Sequence, residues 1–371
     1  MARKKQQLVN SSRRSFLRNS AVASAVLGAG TAGSLAADYV LNRRVSGAPS
    51  MHKRMVLINL FGGADGLNLV VPKTVARYYD RRPDIAIPVG TELSLDTGVN
   101  PNALYGLNPA MDRIHQLWQD GDVAIINQVG YPSANRSHFA SMDIWSWGVR
   151  SGFAGLGVDP SGWVARFAGN YANTTTGVAS FRVGRPLDLV GGNGQPLAMN
   201  TLATFKLDGE SNSNFAANHT LQGEKVLEIL QNSTFANDNQ AEAANLISTS
   251  YAVADQAAMA IANYNSTVDY RSIDGNSNVV RDPGNGLRDM ARLINAGFDT
   301  KLFYTGLGGW DHHSNILAAQ AQRARWLDDA VGAFAQDMKD MGVWDDMAIV
   351  IFSEFGRRNF QNGSEGTDHG H

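Results

Sequence analysis

Five stretches of this sequence gather residues that do hydrolytic and metal chemistry. Gly62-Gly63-Ala64-Asp65-Gly66 follows one apolar run and Gly308-Gly309-Trp310-Asp311-His312-His313 follows another. Ser353-Glu354 ends a third apolar run, and Thr367-Asp368-His369 closes the glycine-rich loop behind it. The fifth stretch is Arg136-Ser137-His138-Phe139. Carboxylate oxygens with imidazole nitrogens suit Zn²⁺, Mn²⁺ or a similar divalent ion. There is no cysteine, so thiolate sites, disulfides and a cysteine nucleophile are excluded and any metal must sit on His and carboxylates. The set is rich enough for one ion, or for two that clamp a tetrahedral ester in line. Ser137 reads as the N-cap of a helix with His138 in its first turn. A serine there gains from backbone N–H groups and the helix dipole, as a nucleophile does; the plainer reading is a cap followed by a structural histidine. Likewise, Asp311-His312-His313 capping a helix and Asp368-His369 as a solvated turn is the plainer alternative to a metal site. Arg136 and Arg357 are candidates to hold anionic oxygens by forked hydrogen bonds, with surface or structural roles as the alternative.

The elements that must position these groups read as an α/β fold. Arg54–Phe61 is a continuous apolar run of the kind found in parallel strands, which are covered on both faces. Asp122–Asn127, Thr300–Thr305 and Ala348–Phe352 read as further buried strands. In a parallel sheet the C-terminal tips lie on one edge, where ligands bind. Helices are expected over Pro109–Trp118, Gly162–Phe167, 222–231, 241–264, Leu287–Ala296 with Gly297 as its stop, and 316–341. Between 170 and 285 charge thins out and Asn, Ser, Thr, Gly and Ala dominate; that region reads as an inserted helical cap over the site, or as a surface insertion.

With 371 residues, 43% of them apolar and 18% charged, the chain is long and apolar enough for one large α/β domain or two small ones. Residues 1–48 carry eight Lys/Arg and one Asp, whereas the remainder carries 24 basic and 33 acidic residues. An acidic body argues against a nucleic-acid partner. The basic leader contains Ser12-Arg13-Arg14-Ser15-Phe16-Leu17 ahead of the small, apolar, uncharged run from Ala21 to Ala37. It reads as a twin-arginine export signal, an ordinary secretory signal being the alternative. The expected division is therefore a signal and linker over 1–48 and one domain over 49–371. The expected partner is the twin-arginine translocation machinery and the expected location periplasmic or secreted, with no later run long enough to span a bilayer.

The motifs Gly62–Asn68, Arg136–Phe139, Gly308–Asn315, Ser353–Arg357 and Gly366–Gly370, in this order along the chain, resemble those of the twin-arginine-exported domain-of-unknown-function 1501 family, itself similar to the alkaline phosphatase/sulfatase superfamily. The resemblance implies an alkaline-phosphatase-like sandwich with a mostly parallel sheet, helices on both faces and a metal site at the strand tips. It implies Asp65 as the first-strand metal carboxylate, Asp311 and His313 as an Asp-x-His metal pair, Glu354 as a second-metal carboxylate, and His369, with Asp368 beside it, as a late metal ligand. His312 stands where the family usually has Thr. Ser137 falls near the superfamily's nucleophile. Without Cys or a Pro-x-Arg context the formylglycine chemistry of sulfatases is not expected. The family continues beyond Thr-Asp-His-Gly, whereas this sequence ends at His371; a truncated chain with a frayed His369 is the corresponding expectation. The leading functional expectation is an exported, metal-dependent hydrolase of phosphate or related esters, with an anionic ester or a cell-surface polymer as substrate. Asp311, His313 and His369 would hold one ion and Asp65 and Glu354 the other. The rivals are a non-catalytic, metal-stabilised binding protein and an inactive truncated member of the family.

Overall fold

The computed structural model describes residues 53–96, 104–149, 161–170, 177–183, 186–191, 197–204, 257–272, 279–298 and 300–370, with isolated positions between 225 and 244. The leader over 1–48 lies outside the described residues. Five strands form the central sheet: β1 (Arg54–Leu60), β2 (Gly177–Phe181), β3 (Leu197–Met199), β4 (Thr300–Leu307) and β5 (Met347–Phe352). Their order is β3-β2-β4-β1-β5, and every pairing is parallel. Three two-residue strands make a small antiparallel sheet apart from it.

The strand sequences explain the layering. Along β1, Val56 and Ile58 join one core with Leu60, while Leu57 joins another with Tyr304 of β4. Both clusters are apolar because successive side chains of a strand point to opposite faces and both faces are covered. The larger core takes in helices α1 (Asp112–Asp120), α4 (Gly284–Asn295) and α5 (Ile316–Asp340). The smaller takes in Val164 and Ala168 of α3 (Trp163–Asn170) and Leu189. A further helix, α2 (His138–Trp147), ends at Gly148 in the left-handed conformation. No helix among the described residues is long and apolar enough to cross a membrane.

Two expectations are corrected. Asp122–Asn127 is in neither sheet. Val123 and Ile125 pack on the larger core, but Ile126 between it and solvent is 73% exposed, so the run is a one-sided contact and not a strand sandwiched by helices. The span 170–285 is not wholly an inserted cap, because β2 and β3 lie within it and extend the central sheet beyond β4. Their short, weakly patterned sequences carry little strand signal. The rest of that span lies largely outside the described residues.

The register sets the site. Asn59 is level with Gly306 on one side and Phe352 on the other. The loops that leave β1, β4 and β5 therefore emerge together, and they carry Asp65, Asp311 with His313, and Glu354.

Candidate metal centre

Trp310, fully buried, anchors the loop after β4, and its backbone N–H donates to the Phe61 carbonyl (3.2 Å). The following residue, Asp311, is brought close to the β1 loop, where a Cβ on Gly62 (φ 120°) would stand 2.6 Å from the Asp311 nitrogen. Only glycine permits both that backbone angle and that approach.

Around Asp311 stand three imidazoles. His313 Nε2 is 2.9 Å and His369 Nε2 3.1 Å from Asp311 Oδ1, and the two Nε2 atoms are 3.1 Å apart. His138 Nε2 is 3.4 Å from Asp311 Oδ2. His138, Asp311 and His369 can each present a ligand atom within 4.8 Å of the others. Each Nδ1, by contrast, faces an oxygen. His138 Nδ1 meets Glu354 Oε1 at 2.8 Å, His369 Nδ1 meets the Arg136 carbonyl at 2.7 Å, and His313 Nδ1 lies 3.5 Å from Asp368 Oδ1. An acceptor on Nδ1 holds the neutral ring with its lone pair on Nε2, as metal-bound histidines are held. The Nε2 of His138 is buried and has no hydrogen-bond partner, which is costly unless something else occupies its lone pair. The Nε2 lone pairs of His138 and His369 and the Asp311 carboxylate fit a zinc-like ion with N and O ligands, and manganese less closely, with His313 beside Asp311.

The charges agree. Burial raises the Asp311 carboxyl, but the hydrogen bond and the charge of Arg357 work against it and hold the group below the ordinary carboxylate range. It is therefore ionised at neutral pH. Asp311 and His313 remain 45% and 46% exposed, whereas His138 and His369 are at 24% and 22%. The cluster is closed from behind and open in front.

The remaining expected site residues have other roles. Asp65 is buried, with Oδ2 on Arg82 Nη1 (2.7 Å) and Oδ1 accepting from the Leu67 backbone (3.1 Å). It is not a ligand of this cluster, because a fully buried arginine neutralises it. Glu354 supports His138 and also accepts from the Gly62 N–H (2.9 Å). No second ligand set built on Asp65 and Glu354 exists among the described residues. Asp368 backs His313, with Oδ2 3.9 Å from Arg358.

Arg357 is an internal brace with a fully buried side chain. Its guanidinium donates to the carbonyls of Gly63 (2.6 Å), Gly62 (2.5 Å) and Thr367 (2.9 Å) and to Asp311 Oδ1 (2.5 Å), so it is not presented to a ligand. Arg136 enters through its backbone carbonyl. Ser137 is exposed at the N-cap of α2, where its side chain makes no capping bond, and among the described residues no hydrogen bond links its hydroxyl to the histidines. Beside it, Ser141 is buried and donates to the Glu354 carbonyl (2.6 Å), docking α2 on the β5 loop. His312 is half-buried and outside the cluster; burial, then the Arg357 and Arg323 charges, lower its pKa to about 4.

His369 is not frayed. Arg357 and His369 form a β-bridge, Gly370 N donates to the Gly356 carbonyl (2.9 Å), and Thr367 N donates to the His312 carbonyl (3.1 Å). Sequence reasoning did not foresee Arg82, whose signal, an arginine 17 residues after the carboxylate it neutralises, is visible only in space.

No curated protein and no solved structure matches the chain. Residues 160–371, more than half of it and including Asp311, His313, Glu354 and His369, match the family described as "Protein of unknown function (DUF1501)". The chain belongs to the DUF1501 family.

Proposed function

We propose that this protein is an exported, metal-dependent hydrolase of phosphate or related esters, built on an alkaline-phosphatase-like sandwich and working with one divalent ion. One observation carries the reading: three imidazoles hold oxygen acceptors at Nδ1 and turn their Nε2 atoms towards the half-exposed Asp311. Structural metal sites are closed, while catalytic ones keep an open position. A bound zinc-like ion would polarise an ester oxygen and lower the pKa of a water at this place. Glu354 fixes the His138 ring, Arg357 fixes the Asp311 carboxylate, and the Arg136 carbonyl fixes the His369 ring. No step is assigned to Ser137, whose hydroxyl is not held towards the cluster. The leader with Arg13 and Arg14 supports export to the periplasm or beyond, through the twin-arginine machinery.

The test is metal content by mass spectrometry on protein purified without added metal, followed by turnover on a panel of phosphate and sulfate esters. About one equivalent, lost together with turnover in Asp311→Ala and His313→Ala, is expected. A folded protein that holds no metal sinks the proposal. One that holds metal and turns over no ester would be the non-catalytic, metal-stabilised binding protein.

A further inference from the structure

Phe355 is an apolar wedge between two of the gathered histidines. It is 7% exposed, and its ring centroid lies 4.8 Å from that of His138 and 4.7 Å from that of His369. The phenyl plane is tilted by 35° to the first imidazole and by 37° to the second. The imidazole planes stand 72° apart, with their centroids separated by 4.4 Å. The phenyl plane therefore bisects the angle between the two imidazoles. The wedge is also backed from behind. A Cβ on Gly63 (φ 70°) would overlap Phe355 Cε2, so the β1 loop lies against the ring and only glycine leaves room for it. Arg357 holds that loop through the Gly63 carbonyl (2.6 Å).

The hydrogen bonds of the two histidines do not set this angle. His138 Nδ1 meets Glu354 Oε1 and His369 Nδ1 meets the Arg136 carbonyl, and each contact fixes one atom of a ring. The last torsion of an imidazole is broad and soft, so the tilt of its plane is decided by what lies against its face. For both rings that is Phe355.

We infer that Phe355 is the positioning residue that sets the angle at which His138 and His369 present their Nε2 atoms, and that it thereby makes the centre select a zinc-like ion over manganese. The inference rests on the metal reading of the cluster and adds to it what determines the ion held. Zinc takes four ligands in a tetrahedron, and two imidazoles held at a fixed angle supply half of them. Manganese suits six oxygen ligands, and selectivity between such ions is achieved by geometry and ligand type. An apolar ring behind the imidazoles also denies water an approach from that side.

The experiment uses the full chain, freed of metal by chelation, as wild type and as Phe355→Leu, which keeps an apolar side chain and loses the flat ring. Zinc and manganese affinities are read by competition with a chromophoric chelator. Cobalt serves as a spectroscopic probe, because its visible bands are intense in four-coordinate sites and weak in six-coordinate ones. Phe355→Leu should bind zinc about tenfold more weakly and manganese as before, so the zinc-to-manganese ratio falls by the same factor and the cobalt bands fade. A merely structural ring would instead lower the melting temperature of the metal-free protein and leave both the ratio and the cobalt spectrum unchanged, which would overturn the inference. Phe355→Met is the second variant should Phe355→Leu fail to fold, and the same changes are expected. Wild type that takes up neither zinc nor cobalt would refute the metal reading and this inference with it. Wild type that binds zinc with a ratio no different from that of the variants would refute the role of Phe355 alone.

Discussion

Replacing Glu354 with Gln tests the centre at its least conspicuous point. Glu354 is 1% exposed and sits behind His138, with Oε1 2.8 Å from Nδ1 and 2.9 Å from the Gly62 N–H, and Oε2 3.0 Å from Ser353 Oγ. A glutamine fills the same volume. Its carbonyl oxygen still accepts from both N–H groups, and its amide faces a serine hydroxyl able to accept. The fold should survive, while the negative charge on the imidazole is lost. Charge-assisted hydrogen bonds are about twice as strong as neutral ones. Removing the outer carboxylate of a metal-bound histidine weakens metal affinity about 10- to 100-fold, or about 1.4 to 2.7 kcal/mol. The assay is zinc competition against a chromophoric chelator, with the melting temperature of the metal-free protein as control and His138→Ala as the full loss. Equally tight zinc binding by Glu354→Gln and wild type, or an undiminished affinity in His138→Ala, would refute the arrangement.

Other consequences follow from the same geometry. Arg357→Met should destabilise the protein by about 3 kcal/mol or more in urea denaturation, because it strips the buried carbonyls of Gly63 and Thr367 and the part-buried one of Gly62 of their donor; a change within error would remove its role as brace. Arg82→Met should cost about 3–5 kcal/mol by leaving the buried Asp65 charge unpaired. Adding Asp65→Asn should recover much of that loss and leave metal stoichiometry unchanged, whereas loss of metal would restore Asp65 as a ligand. Asp328 accepts from the Ile114 and Arg113 N–H groups at the start of α1, and burial pushes its carboxyl up to about 7. Its folded pKa thus exceeds the unfolded one of about 4, so the native state holds the extra proton between these values. Its share of stability is present below about pH 4 and declines as pH rises through 7. Asp328→Asn should flatten that arm of the melting-temperature profile, and an unchanged slope would contradict the assignment.

The strands Arg54–Leu60 and Thr300–Leu307 were legible as continuous apolar runs because a parallel strand covered on both faces must be apolar throughout; Met347–Phe352 is a strand as its apolar run predicts, but it lies at the edge of the sheet with Val350 and Ile351 39% and 37% exposed and is not buried. The same logic misread Asp122–Asn127, whose apolar residues serve a single contact. It also missed β2 and β3, which are too short to carry a periodic signal. Local chemistry made Asp311, His313 and His369 candidates, and the common edge of parallel strands brought them together. What only the tertiary structure decided is which partner each charged group meets. Glu354 and Asp65 look alike in sequence, each following a strand beside glycine or serine. One faces His138 across 216 residues and orients it, and the other is neutralised by Arg82. Arg357, expected at the ligand, is enclosed by carbonyls. A side chain's type and its place at a strand tip are written locally. Its hydrogen-bond partners come from loops that are distant in the chain, and packing alone sets their approach.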